Sequence, residues 1–296
     1  MATTKTVKFI DDNQKSIFTE FIAVNLPKIL KDADYDELYG HQLTEDGEFF
    51  IKDVRDSLIF KFLIANNFDV PATETQLTNT LKWRKEFKPL EAAFLEKHDS
   101  KFDNIGVLTY YDELKEIITW NLYGETDDQT NVKPGELFED LDKFLRYRVG
   151  LMERALQLSK FDDIDLNKIS QVHDYKGVSF LRFDPKVKAG SKLIIKTFQD
   201  YYPELLNKKY FVNVPLIAQW IYDLISRAWL PTETSSKFTL LNNAKDLRSR
   251  INTDKIPVKY GGKGELLNTQ TVKDIEQTPY TSFILNNKKN IPTTVS

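Results

Sequence analysis

Residues 171–180, Gln-Val-His-Asp-Tyr-Lys-Gly-Val-Ser-Phe, restrict the fold of this chain more than any other stretch. They read as a β-strand, whose successive side chains point to opposite faces. The continuation, Val178 and Phe180 against Ser179 and Leu181, is too apolar for a strand with one wet face. A strand buried on both faces belongs to a sheet covered on both sides, which points to a mostly parallel α/β arrangement. His173 and Tyr175 lie two apart and share one face, whereas Asp174 points the other way. Two strong polar groups on the inward face of a buried strand need a partner.

The rest of the chain fits that frame. Residues 11–96 are helical in pattern, with Ile17, Phe21, Val24 and Ile29 on one stripe and Leu58, Phe60, Phe62, Leu63 and Phe68 on another. Asp69-Val70-Pro71 is expected to end the second helix. Thr73 then precedes a third, carrying Leu77, Leu81 and Trp83 and stopped by Pro89. Strands are predicted over 105–110, 117–123, 210–214 and 238–241. Helices are predicted over 137–159, 192–202 and 216–229, with a short one near Asp246 and a loop over 125–135. Strands alternating with helices argue for a mostly parallel sheet with helices packed on it. The expected organisation is a helical domain over 1–100, an α/β domain over 101–265 and an extension over 266–296, its tail frayed from Lys288.

Composition removes several classes of function. The chain has 296 residues, a net charge of −3 and no cysteine. Bulk attraction to nucleic acid is not expected. Disulfides, thiolate metal ligands and thiol nucleophiles are excluded. The first ten residues show no signal-peptide pattern. The apolar stretch 215–230 is broken by Gln219, Asp223, Ser226 and Arg227 and is too short and polar to span a bilayer. Gly261-Gly-Lys-Gly264 lacks P-loop spacing and reads as a turn. Asp127-Asp128 and Asp162-Asp163 read as solvated pairs, and no Gly-x-Ser-x-Gly elbow is present.

Several segments carry a resemblance. Phe60-Lys-Phe-Leu63, Asn67-Phe-Asp-Val70 and Leu81-Lys-Trp-Arg-Lys85 are similar to the helical domain that precedes a CRAL-TRIO lipid-binding domain. Tyr201-Tyr-Pro-Glu-Leu-Leu206, Tyr210-Phe-Val-Asn-Val-Pro215, Ile256-Pro-Val-Lys-Tyr-Gly-Gly262 and Asp174-Tyr-Lys-Gly177 resemble segments of that domain itself. The resemblance implies a sheet-floored pocket for one hydrophobic ligand, closed by a helix. It is nearest to the fungal phosphatidylinositol-transfer proteins and their atypical haem-binding branch.

The resemblance gives particular residues roles. On the stripe Ile217, Trp220, Ile221, Leu224, Ile225 and Ala228, helical spacing alone describes a core-facing helix. The resemblance makes it a gate, and Trp220 and Trp229 suit a membrane interface. Glu204 and Lys237, otherwise two solvated charges, become headgroup residues. A carboxylate accepts from inositol hydroxyls and an ammonium offsets phosphodiester charge.

His173 and Tyr175 stand where ordinary relatives carry apolar residues. Read alone, they are two core polar groups bonded to each other or to backbone. Tyr123, on a strand able to pair beside them, Arg148, on the preceding helix, and Lys209, ahead of the strand at 210, extend the set. Such a group suits a flat apolar ligand with carboxylates and a metal. With two methionines and no cysteine, His or Tyr are the available haem ligands. The resemblance assigns Tyr175 to ferric iron of haem b and His173, Tyr123, Arg148 and Lys209 to the lining. His41 and His98 read as surface residues. One departure stands out: Asn66-Asn67 replaces an aromatic expected of that branch.

The resulting expectation is a non-enzymatic phosphatidylinositol-transfer protein that also binds haem, with roles in phosphoinositide homeostasis and oxidant response. The alternative is a dedicated haem protein, an oxidant sensor or peroxidase-like enzyme without lipid transfer. The resemblance implies cytoplasmic residence with reversible docking on endoplasmic reticulum, microsomal or cell-cortex membranes. Protein partners are not indicated.

Overall fold

The computed structural model describes residues 7–103, 105–124, 134–178, 185–214 and 237–289. The front begins with α1 (Asp12–Glu20), which passes through a widened turn (Phe21–Asn25) into α2 (Leu26–Ala33). A two-stranded antiparallel ladder, β1 (Glu37–Leu38) and β2 (His41–Gln42), was not foreseen from the sequence. Then come α3 (Lys52–Ala65), α4 (Val70–Phe87) and α5 (Pro89–Phe94).

One helix boundary inverts the expectation. Asp69 caps α4, its carboxylate accepting from Ala72 N at 2.8 Å, and Pro71 sits in the first turn where no N–H is needed. Asp69-Val70-Pro71 therefore starts a helix, and Thr73 lies inside it. The preceding helix has already ended through left-handed Asn67 and Phe68 (φ 52° and 61°). α4 stops just before Pro89, as expected, through left-handed Lys88, and Pro89 also opens α5.

The body is one five-stranded sheet in the order β3 (Gly106–Tyr111), β4 (Glu116–Leu122), β5 (Ile169–Asp174), β6 (Leu206–Val212), β7 (Phe238–Leu241). The first pair is antiparallel and the others are parallel. Helices α6 (Pro134–Leu137) and α7 (Leu141–Leu158) lie between β4 and β5, and α8 (Pro185–Tyr201) lies between β5 and β6. Short α9 (Leu267–Gln270) and α10 (Pro279–Lys289) close the chain. β6 begins before residue 210 and α8 before residue 192, so both are longer than their sequence patterns suggest. No described helix is long and apolar enough to cross a membrane.

Both faces of the sheet are covered. Ile117 and Ile169 join the core built by Phe144, Val149, Met152 and Leu156 of α7. On the opposite face Ile118, Trp120, Val172, Tyr210 and Val212 pack with Leu247, Ile251, Ile256 and Tyr260. Each such side chain contributes on the order of 1.5–3 kcal/mol through burial.

The central strand stops earlier than the sequence suggests. β5 ends at Asp174, whose Oδ1 accepts from Lys176 N at 2.9 Å, and Gly177 turns the chain with φ 77°. That side-chain turn competes with the ladder. Asp174 Oδ2 also accepts from Tyr260 OH at 2.7 Å, which places Asp174 on the face opposite His173, as alternation requires. Residues 179–184 lie outside the described residues.

A buried ion cluster ties front to body. Arg84 of α4 donates to Glu37 at 2.7 and 3.0 Å and to Glu153 of α7 at 2.6 and 3.0 Å. Tyr202 OH donates to Glu153 at 2.6 Å. Trp83 stacks on Tyr201 with centroids 4.3 Å apart and planes 7° from parallel. The Leu81-Lys-Trp-Arg and Tyr201-Tyr-Pro segments are therefore joined directly.

Candidate ligand-binding site

The α7 face of the sheet carries three rows of side chains. Register aligns Thr119, Gln171, Lys209 and Phe238 in one row and Asn121, His173, Phe211 and Leu240 in the next. Tyr123 and Tyr175 follow just beyond the strand ends, where Tyr123 N donates to Asp174 O at 2.9 Å. Gly124 permits this approach, since a Cβ there would lie 1.6 Å from the carbonyl oxygen of Lys176. Arg148 reaches the same floor from α7, its Nη1 donating to Asn121 Oδ1.

The structure thus brings together all five residues expected to line a haem site. The His173 and Tyr123 rings are 5.6 Å apart, Tyr123 and Tyr175 5.4 Å, and His173 and Phe211 5.3 Å. His173 is only 4% exposed and Arg148 3%. Tyr175 is half-buried. Lys209 sits inside β6, not ahead of it, with Nζ over the rings of Phe211 (5.5 Å) and Phe238 (5.7 Å).

The electrostatics of this floor are one-sided. Burial pushes the His173 ring well below its usual pKa, and the positive Lys209 and Arg148 push it further. The ring is therefore neutral, with Nε2 3.3 Å from Gln171 Oε1 as a donor. Burial, then Arg148, lowers Lys209 to about 7. The Tyr175 phenol is raised by burial and by Tyr123, and Arg148 partly opposes this. Among the described residues neither Arg148 nor Lys209 has a carboxylate partner. Arg148 Nε and Thr119 Oγ1 are buried without hydrogen-bond partners in the same neighbourhood. Unpaired buried polar groups of this kind cost about 1–3 kcal/mol each.

A second group gathers at the opposite ends of the parallel strands. Glu204 occupies a tight turn ahead of β6 with a left-handed backbone (φ 54°), a conformation costly for a residue with a side chain. Its carboxylate lies 3.1 Å from Lys237 Nζ, just before β7, and 3.8 Å from Lys168 Nζ, just before β5. Its carbonyl oxygen accepts from Lys61 Nζ of α3 at 3.1 Å. Glu204 and Lys237 thus form an ion pair, and neither is a freely solvated surface charge.

Sequence reasoning missed Lys61, Lys168, Gln171, Asn121 and Phe211. Lys61 had a signal, a lone cation inside the apolar run 58–63. His41 and His98 also differ from expectation. His41 is half-buried, edge-on to Phe161, and burial lowers it to about 4. The His98 Nε2–H donates to Ala92 O at 2.7 Å. Asn66 bonds Phe62 O and Gln76 Oε1, closing α3 against α4. The gate positions Ile217, Trp220, Ile221 and Leu224 lie outside the described residues.

The CRAL/TRIO domain family model matches residues 101–262. The chain belongs to the CRAL/TRIO family. Its CRAL/TRIO relatives include the phosphatidylinositol transfer protein SFH5 of Kluyveromyces lactis, 43% identical over 282 residues, covering 94% of this chain and 92% of that protein. SFH5 of Vanderwaltozyma polyspora is 41% identical over 299 residues, covering 96% and 99%. The crystal structure of Sfh5 superposes with a TM-score of 0.87 at 38% identity, covering 96% of this chain and 99% of that one. The CRAL/TRIO chain described here thus has the expected α/β fold with a mostly parallel sheet.

Proposed function

We propose that this chain is a phosphatidylinositol-binding and transfer protein that acts as a carrier, not an enzyme. The Glu204–Lys237 pair carries the proposal, because it sets a hydroxyl acceptor beside a cation at the starts of the parallel strands. The names of its SFH5 relatives support it. β5 separates Lys168 from Tyr175, and its six residues at ~3.3 Å each put about 20 Å between the two groups. The gate role of residues 216–229, supply of lipid to phosphoinositide metabolism and docking from the cytoplasm onto endoplasmic reticulum or cortical membranes belong to the same proposal. Transfer of labelled phosphatidylinositol between vesicles tests it. Saturable transfer supports it, and transfer no faster than spontaneous exchange sinks it.

A second reading, haem binding, is favoured by the floor around Arg148, Lys209 and His173, where neither cation has a carboxylate partner among the described residues. The donor set fits the group: two cations suit propionates, stacked rings suit a flat macrocycle, and Tyr175 is an oxygen donor suited to ferric iron. Bound ferric haem would supply a Lewis-acidic iron open to oxidants. Arg148 opposes the burial that keeps the Tyr175 phenol protonated. Neutral His173 is held by Gln171. Lipid and haem would then share one cavity, and a role in oxidant response follows from the second ligand.

A further inference from the structure

The Glu204 turn holds more positive charge than one carboxylate needs. Lys237, Lys168 and Lys61 converge on it from the starts of β7 and β5 and from α3. Glu204 is the acid that these ion pairs share. Lys61 is 5% exposed, yet its ammonium meets only neutral acceptors among the described residues, Asn167 Oδ1 at 3.2 Å and Glu204 O at 3.1 Å. A cation this buried is costly when the nearby Glu204 carboxylate is shared by three ammonium groups and none of the cation's own hydrogen bonds reaches a charged acceptor.

We infer that Lys61 and Lys168 complete the headgroup site: with Lys237 they form a ring of ammonium groups that holds the ligand's phosphate ester, one member supplied by the helical front. The inference rests on the lipid reading for its ligand, but its charge balance stands on the geometry. Glu204 is left to accept from the ring hydroxyls, and its left-handed backbone aims its carbonyl at Lys61. The front is then part of the recognition surface as well as a packing partner.

Protonation supplies a second signature. Lys61 is lowered to about 7, first by burial and then by Lys168, with Glu204 opposing and Lys237 adding to the effect. A bound phosphate favours the charged form, so binding takes up a proton and weakens as pH rises above about 7.

The test uses the full chain with two probes, phosphatidylinositol in phosphatidylcholine vesicles and soluble inositol 1-phosphate. Lys61→Gln should lower capture about tenfold and Lys168→Gln, being more exposed, about threefold. Lys61→Arg should restore much of the loss, and the pH dependence should flatten in Lys61→Gln. Thermal melts identify a variant that fails to fold, and Lys168→Gln then carries the test. A lysine-dependent signal in either arm supports the ring and names the source of the phosphate. Folded variants that bind both probes like the wild type overturn it. If the wild type captures no phosphatidylinositol, the lipid reading falls and the soluble arm alone decides the ring.

Discussion

Arg84 and Glu153, from α4 and α7, meet through two hydrogen bonds of 2.6 and 3.0 Å with both side chains fully buried. Glu37 shares the same guanidinium, so one cation serves two carboxylates. Removing it leaves both uncompensated, a loss on the order of 3–5 kcal/mol. Arg84→Leu should therefore lower Tm by roughly 10 °C, since each kcal/mol moves a chain of this size by about 2–4 °C. Calorimetry decides, and an unchanged Tm would show that the cluster does not hold front to body.

Glu204 and Lys237 are partly exposed and shape one turn, so changing them should spare the fold. Combined Glu204→Ala and Lys237→Ala substitution should abolish vesicle-to-vesicle transfer of phosphatidylinositol, a loss of at least about tenfold. Circular dichroism confirms folding of the variant. Undiminished transfer would remove these residues from the headgroup site.

Tyr175 is the oxygen donor proposed for ferric haem. The purified protein should be coloured, and Tyr175→Phe should lose or shift its Soret band. A Soret band that survives this change intact would rule out the ligand assignment.

Lys209 gives a pH test with a definite sign. Its folded pKa is lowered to about 7 by burial and Arg148, against about 10.4 for a free lysine. Between those values the unfolded chain binds the proton that the folded chain has released. Stability therefore rises with pH across that window, and the cost of charged Lys209 is complete below about pH 7. Lys209→Met, next to Phe211 and Phe238, should raise Tm at about pH 6 and flatten the rise at higher pH. A lower Tm at that pH would contradict this account.

Local pattern carried much of the architecture. Period-two alternation put His173 and Tyr175 on one face with Asp174 on the other, and the structure keeps that division through the Asp174–Tyr260 bond. The alternation of strands and helices pointed to the mostly parallel sheet, though not to the β1–β2 ladder in the front. Boundaries were less legible where a side chain competes with the regular ladder. Asp69 starts a helix that it was expected to end, and Asp174 with Gly177 ends a strand that was expected to run on.

The chain's own sequence settled which residues alternate, which helices are amphipathic and which chemistries are missing, because those depend on neighbours a few positions apart. Only the folded structure could decide that Lys61 meets Glu204, 143 residues away, or that Lys168 and Lys237 arrive at the same turn. Strand register set Lys209 beside Gln171 and Phe211 beside His173. Such meetings are set by how distant elements pack, and no local period encodes them.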